Sequence, residues 1–467
     1  MSSATSSSYR TDVPLLTYHD RTAGFASGTD SPSAYLDACL AAIAAREPDV
    51  QAWVVLDAEA AKRAAAESTQ RWRTGTQLSP IDGMPIGVKD LMDTKDMPTQ
   101  MGCEAYRGHQ PEHDAPMVAA LREAGAVILG KTVTTELGGS HPGPTHNPFD
   151  PSRSPGGSSS GSAAAVGAGM IPAATGSQVG GSIIRPASYC GNVALKPSQG
   201  AISRGSRLAY SNATYGILAG SVEDTWLVSI EIARRIGGDP GCYALVGPAE
   251  VPPPMRPRTV AVMETAGWAS LPAPARSAFE NVTAQLADHG VTVLRRYDHP
   301  LIEAFETLIL RASEVLGRLT AWEARAGHLE LIARAPDKVS ARTKGGVARS
   351  STMTVEDYRR ALRLRDEMQQ AYARLAPIVD GLVAPSSLGP APAWVHNELD
   401  DTEPPMPTGD IVFNAPSSLL GAPSVTLPLT AVAGMPMGVQ FMAQRNRDAY
   451  AVSAARWMAS AVKPVTA

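Results

Sequence analysis

Apolar positions along the chain alternate between two periods, and the alternation predicts a body of strands and helices in turn. From residue 33 to 66 the pattern changes, beginning with Leu36, Leu40 and Ile43 at helical spacing. Glu47-Pro48-Asp49 is expected to interrupt this helix, residues 52–56 (Ala-Trp-Val-Val-Leu) to form a strand, and an alanine- and charge-rich helix to cover residues 58–73. Pro85-Ile-Gly-Val-Lys-Asp-Leu91 reads as a short buried strand ending at a lysine. A helix begins at Asp114-Ala-Pro and runs through Met117, Leu121 and Ala124, and Ala126-Val-Ile-Leu129 is the next strand. Residues 137–161 hold too much Gly, Pro, Ser and Asn for regular structure and read as an active-site loop. Ala163-Ala-Ala-Val-Gly-Ala-Gly169 favours a helix of small residues packed close to neighbouring backbone.

Residues 260–375 read as mainly helical, with long polar-periodic runs at 303–334 and 355–375. Strands are expected at 381–385, 424–428 and 438–441, and a last helix at 447–461. Residues 1–30, rich in Ser, Thr, Gly and Asp, read as a loose lead-in. No internal repeat or long linker separates the remainder. It is expected to be one unit over 31–467, with a helical cap (31–75), a catalytic core (76–225) and a helical substrate-side region with returning strands (226–467). The alternation implies an α/β body with a largely internal sheet.

Composition narrows the function classes. In 467 residues, 44% are apolar and 18% charged, as in a folded enzyme-sized chain. Lys and Arg number 41 against 45 acidic residues, for a net charge of −4 with no long basic run, so neither nucleic acid nor an anionic membrane is the expected partner. No stretch matches a secretory signal or the roughly 20 apolar residues of a spanning helix. Cys39, Cys103, Cys190 and Cys242 lack CxxC spacing, which fits buried thiols in a reducing compartment, and a cytoplasmic location is expected.

The chemistry concentrates in two glycine-rich turns around the alanine-rich stretch. Ser158 lies in Pro155-Gly-Gly-Ser-Ser-Ser-Gly161, and Ser182 in Val179-Gly-Gly-Ser-Ile-Ile-Arg-Pro186. A serine hydroxyl is a weak nucleophile, so it needs a base and donors for the charge that develops on the attacked carbonyl. The run Gln178-Val-Gly-Gly-Ser182 lets successive N–H groups turn into one concavity. No G-x-S-x-G elbow and no Ser/His/Asp context is present, which points to a base other than histidine. The 156–161 loop lacks the G-x-x-x-x-G-K-[ST] pattern of a phosphate cradle. His109 and His113, four apart, read as exposed loop polarity rather than a metal pair.

These segments resemble the amidase signature family. The likeness rests on Pro85-Ile-Gly-Val-Lys-Asp, Pro155-Gly-Gly-Ser-Ser-Ser-Gly-Ser-Ala-Ala-Ala, Gly180-Gly-Ser-Ile-Ile-Arg-Pro-Ala-Ser-Tyr-Cys-Gly and Leu195-Lys-Pro197. It also takes in Ala124-Gly-Ala-Val-Ile-Leu-Gly-Lys-Thr132, Phe413-Asn-Ala-Pro416 and Leu420-Gly-Ala-Pro423, and extends from about Asp49 to the C-terminal helix.

The resemblance implies an α/β/α sandwich with a mixed central β-sheet covered by helices, and a Ser–cis-Ser–Lys triad. Ser182 would be the nucleophile, Ser158 the bridging serine after a cis peptide bond, and Lys89 the base, kept neutral by burial. Lys131 and Lys196 are the competing lysines, for which a structural role is expected. The N–H groups of Val179, Gly180, Gly181 and Ser182 would form the oxyanion hole, with Ser159 and Ser177 around the lysine. Val179 stands where the family commonly has threonine. Arg185, one residue later than in members reading Ser-Ile-Arg, would either meet a substrate carboxylate or, as favoured here, play a structural part. Gly157 and Tyr210 are further substrate-contact candidates, and Met101 and Leu137 candidate pocket walls. The region 308–353 is a candidate cover for the acyl side.

The implied activity is hydrolysis of a carboxylic amide, small or aryl, without a cofactor or metal. Carbamate or ester cleavage, or a glutamine-hydrolysing subunit of a tRNA-dependent amidotransferase, are the alternatives. A small-molecule amide or carbamate is the expected partner, and a homodimer is left open.

Overall fold

A strand buried along its whole length needs cover on both faces, and residues 85–89 receive it. The computed structural model describes residues 9–11, 15–205 and 210–467. In chain order its strands are β1 (Trp53–Leu56), β2 (Pro85–Lys89), β3 (Val127–Thr132), β4 (Ala173–Gln178), β5 (Val193–Lys196), β6 (Thr214–Ala219), β7 (Thr259–Val262), β8 (Thr292–Leu294), β9 (Gly381–Pro385), β10 (Ser424–Val432), β11 (Met435–Met442) and β12 (Val465–Thr466). They make one mixed sheet in the order β1-β3-β2-β4-β6-β5-β10-β11-β9-β7-β8, with β12 beside the far end of β10. β2 runs parallel to both β3 and β4, whereas the centre of the sheet from β4 through β6, β5, β10 and β11 to β9 is antiparallel.

Successive strand residues point to opposite faces, so each strand feeds two layers. Ile128, Ala173 and Ile217 join a core with Leu121, Trp226 and Met458 from the helices Pro116–Glu123, Val222–Ile236 and Asp448–Ala461. Their neighbours Val127, Leu129, Ala174 and Leu218 pack on the other face against Leu36, Ile43, Ala164 and Ile184. A third core under the C-terminal half joins Phe305, Leu316, Met368 and Tyr372 to Phe413 and Met437. Helices thus cover both faces of a mixed central sheet. The strands expected at 381–385, 424–428 and 438–441 all return to it.

Four expectations are corrected. The lead-in is not loose throughout: Thr22–Ser27 is helical, and Tyr18 and Phe25 are buried in an aromatic cluster with Tyr35 and Trp72. The helix Pro32–Val50 runs through Pro48, which has no N–H for the carbonyl four residues earlier, so the ladder loses that bond two residues before the helix ends. It ends at Gln51, in the left-handed region at φ 53°, where the Glu47 carboxylate accepts from the N–H groups of Ala52 and Trp53. Residues 173–178, for which no element was expected, form the buried strand β4. Their small side chains have little strand propensity, and tertiary packing decides the outcome. The stretch 260–375 also contributes most of β7 and all of β8, strands of four and three residues that each open on threonine and are too short to stand out by periodicity.

The helix Ser160–Gly167 is buried at every residue. A Cβ on Gly161 would collide with main-chain atoms of Ala52 and Val133, which no side-chain rearrangement relieves. Gly161→Ala is therefore expected to destabilise the protein by about 1–3 kcal/mol, read as a lower midpoint of urea unfolding. An unchanged midpoint would show that this close approach is not required.

Candidate active site

Parallel neighbours end on the same edge of a sheet, so the ends of β2 and β4 bring Lys89 beside Ser177 and Gln178. Lys89 is fully buried. Its Nζ lies 2.7 Å from Ser158 Oγ, 2.9 Å from Ser159 Oγ and 2.9 Å from Ser177 Oγ. Burial pushes the amine well below the ordinary lysine range, because leaving water penalises the charged form. The peptide bond between Gly157 and Ser158 is cis, and Ser158 leads directly into the helix Ser160–Gly167.

The other two buried lysines have different surroundings. Lys131 Nζ pairs with Asp90 at 3.1 Å and donates to Thr99 Oγ1 at 2.7 Å. Lys196 Nζ donates to the Pro197 carbonyl at 3.0 Å, and burial pushes it down to about 7 against the opposing pull of Asp448. Of the three, Lys89 alone has the hydroxyl cluster.

The turn from Val179 to Ser182 is held from behind by its carbonyls. Asn212 Nδ2 donates to Val179 O at 3.0 Å, Ser418 Oγ to Gly180 O at 3.0 Å, Arg185 N to Gly181 O at 2.9 Å and Ser159 N to Ser182 O at 3.3 Å. Gln178 Oε1 accepts from the N–H groups of Ile183 and Ile184, at 3.0 and 3.1 Å. By contrast, none of the N–H groups of Val179, Gly180, Gly181 and Ser182 donates to an acceptor among the described residues. Four donors in succession therefore stay available to an incoming oxygen. Ser182 itself is 9% exposed.

Of the weaker candidates, Arg185 is 4% exposed and its guanidinium faces inward. Nε donates to Thr408 O at 2.7 Å and Nη2 to Gly157 O at 2.8 Å, so Arg185 braces the carbonyl of the cis bond, in line with the structural alternative. Gly157 packs tightly, since a Cβ there would lie 2.8 Å from Thr135 Cγ2. Tyr210 accepts at its carbonyl from Arg204 Nη1 at 2.9 Å, and burial pushes its phenol up to about 12. Met101 and Leu137, at φ 55° and 54°, are joined by a bond from Leu137 N to Met101 O at 2.8 Å. The next residue, Gly138, reaches the site: a Cβ there would lie 3.6 Å from Ser158 Oγ. Leu316 and Ile411 approach Gly180, each placing a methyl 3.5 Å from the position of a Cβ. His109 and His113 are exposed. Among the described residues, no helix is long and apolar enough to cross a membrane.

Sequence reasoning missed Gln178 as an organiser of the turn, and Asn212, Asn414 and Ser418 around it. Gln178 carried a local signal, an amide side chain two residues before the glycine pair of the turn. The others reach the site from distant parts of the chain, which spacing does not reveal.

A family model described as Amidase matches residues 34–451. A glutamyl-tRNA(Gln) amidotransferase subunit from Chloroflexus aggregans is 41% identical over 49% of this chain and 48% of its own length. For that relative and its like, the chain spans about half the length of the curated protein it matches. The corresponding subunit from Salinispora arenicola is 31% identical over 98% of this chain and 99% of its own. A crystal structure described as an amidase superposes with a TM-score of 0.80 at 28% identity, covering 96% of this chain and all of the other. The chain belongs to the amidase signature family.

The Lys89 amine also leaves a mark on stability. Its folded-state pKa is lowered, so between that value and the unfolded value of about 10.4 the unfolded chain binds more protons and stability rises with pH. Lys89→Met should remove this part of the slope and leave the variant relatively more stable toward acid, measured by urea unfolding from pH 6 to 9. Parallel stability–pH curves for the two proteins would contradict a desolvated amine.

Proposed function

We propose that this enzyme hydrolyses uncharged carboxylic amides, small or aryl, through an acyl-enzyme on Ser182, with Lys89 as base and Ser158 as proton relay. The observation that carries the reading is a fully desolvated amine 2.7 Å from a serine hydroxyl, with no carboxylate among its hydrogen-bond partners. A neutral amine has two N–H donors and one lone pair. Donation to Ser159 and Ser177 leaves the lone pair facing the Ser158 hydroxyl.

As Ser182 Oγ bonds to the amide carbon, its proton passes to Ser158 Oγ and the Ser158 proton to Lys89 Nζ. The carbonyl π electrons move onto oxygen, which the N–H groups of Val179 to Ser182 receive. Removal of one such donor typically costs about 10²–10³ in rate. On collapse the C–N bond breaks, the leaving nitrogen takes a proton from Ser158, and Ser158 regains one from Lys89. Water then repeats the relay on the ester and releases the acid.

The groups around the turn favour an uncharged acyl portion. Leu316 and Ile411 stand at Gly180, and the Arg185 guanidinium spends Nε and Nη2 on Thr408 and Gly157. A second reading, a glutamine-hydrolysing component of an amidotransferase that works with partners, is favoured by the 31% identity across 98% of the chain to a protein so named. The purified chain tested on amides, carbamates, esters and glutamine separates the two. Robust amide hydrolysis by the chain alone is expected, and glutamine hydrolysis that appears only with a second protein would overturn the primary reading.

Ser182→Ala should lower turnover by about 10⁴-fold or more and abolish the acyl adduct seen by mass spectrometry. A folded variant that keeps its rate would remove Ser182 from the mechanism. Activity should decline as pH falls through the lowered lysine pKa, since protonated Lys89 has no lone pair to accept a proton. A rate undiminished at about pH 4, below the range of about 5–6 documented for strongly buried lysines, would exclude the neutral base.

A further inference from the structure

The helix Ala312–Arg334 touches the site region at two points on one face. Leu316 packs on Gly180, and two turns further along, roughly 10 Å by the helical rise, Glu323 grips the segment that backs Val179. Its carboxylate accepts from Ser211 N at 2.8 Å, Ser211 Oγ at 2.6 Å and Tyr358 OH at 3.0 Å. Arg365 Nη1 donates to the same Ser211 Oγ at 2.7 Å, and Gln199 Nε2 donates to Ser211 O. Every polar atom of Ser211 is thereby occupied. The next residue, Asn212, is 1% exposed and spends its amide N–H on Val179 O at 3.0 Å.

A peptide plane carries its C=O and the following N–H in opposite directions. Holding the Val179 carbonyl from behind therefore aims the Gly180 N–H forward. Glycine at 180 leaves this plane free of side-chain restraint on its C-terminal side, so its orientation depends in part on what grips the carbonyl. We propose that Glu323 is a positioning residue for the reaction. Through Ser211 and Asn212 it fixes the Val179–Gly180 peptide and so the donor that receives the developing negative charge. The inference rests on the proposed acyl-enzyme reading. It makes the helical layer part of the catalytic apparatus, although Glu323 never meets the substrate.

Misaiming a donor costs at most what deleting one costs, about 10²–10³, so Glu323→Ala is expected to lower kcat by about 10- to 100-fold. The loss should appear equally in kcat/KM with KM unchanged, the pattern of an interaction made only in the transition state. Asn212→Ala should do the same, and the double variant should be no slower than the slower single one, because both act on one peptide. Tyr358→Phe, which leaves the Ser211 bonds in place, should keep the parent rate within about threefold. If Glu323→Ala fails to fold, Glu323→Gln keeps the shape and weakens only the charge-assisted bonds, and should show a smaller kcat loss with the same unchanged KM.

The variants are assayed on an amide for which the parent has yielded acyl-Ser182 by mass spectrometry. Unchanged kcat in a folded Asn212→Ala variant, losses that multiply in the double variant, or a change confined to KM would overturn the inference. Failure to trap acyl-Ser182 in the parent would instead defeat the reading beneath it.

Discussion

An amine taken wholly out of water and surrounded by hydroxyls is the constraint on which the rest of the structure depends. Lys89 has no carboxylate to compensate a positive charge, so burial favours its neutral form. The adjacent residue shows the opposite solution. Asp90 is also buried, but it pairs with Lys131 at 3.1 Å, so each charge compensates the other. One strand end thus presents a buried amine without a counter-ion on one side and a buried ion pair on the other. Such an amine requires β2 and β4 as parallel neighbours, a serine-rich turn brought over their ends, and cover thick enough to exclude solvent.

The second requirement is a turn flexible in composition but fixed in conformation. Gly181 allows the main chain to pass close to Asn414, since a Cβ there would fall 2.6 Å from Oδ1. Glycine alone would leave the turn mobile. Its carbonyls are held by Asn212, Ser418, Arg185 and Ser159, and Gln178 ties its end to β4. These partners lie before, within and far after the turn in sequence, so the donors facing outward are organised by most of the fold rather than by a local motif.

The balance between what the sequence disclosed and what it withheld follows from the range of the interactions. Local signals were legible: the apolar run ending at Lys89, the glycine-flanked serines, and the period-3.6 runs that became Ala312–Arg334 and Val355–Ala373. The resemblance supplied the pairing of Lys89 with Ser158, which spacing could not. β4 was not legible, because Ala, Gly and Ser carry little strand propensity, one threonine does not mark a strand, and such a segment becomes a central strand only through its neighbours. Arg185 illustrates a choice the sequence posed and geometry weights. Its position three residues after Ser182 suits either a ligand or a brace, and its hydrogen bonds run to Gly157 and Thr408. Asn212 and Glu323 left no trace in the sequence, since an amide in a loop or a carboxylate in a helix reads as surface polarity until its long-range partner is known.

The protonation state of Lys89 in the resting enzyme is the most direct measure of this account. Nuclear magnetic resonance of lysine labelled at Cε and Nζ, with the Lys89 signal identified by its absence from the Lys89→Met variant, reports it across the pH range. The account predicts a neutral amine at pH 7 that takes up a proton only in more acidic solution, in step with the loss of amidase activity. A Lys89 signal that remains an ammonium ion at pH 7 to 9 in fully active enzyme would contradict it.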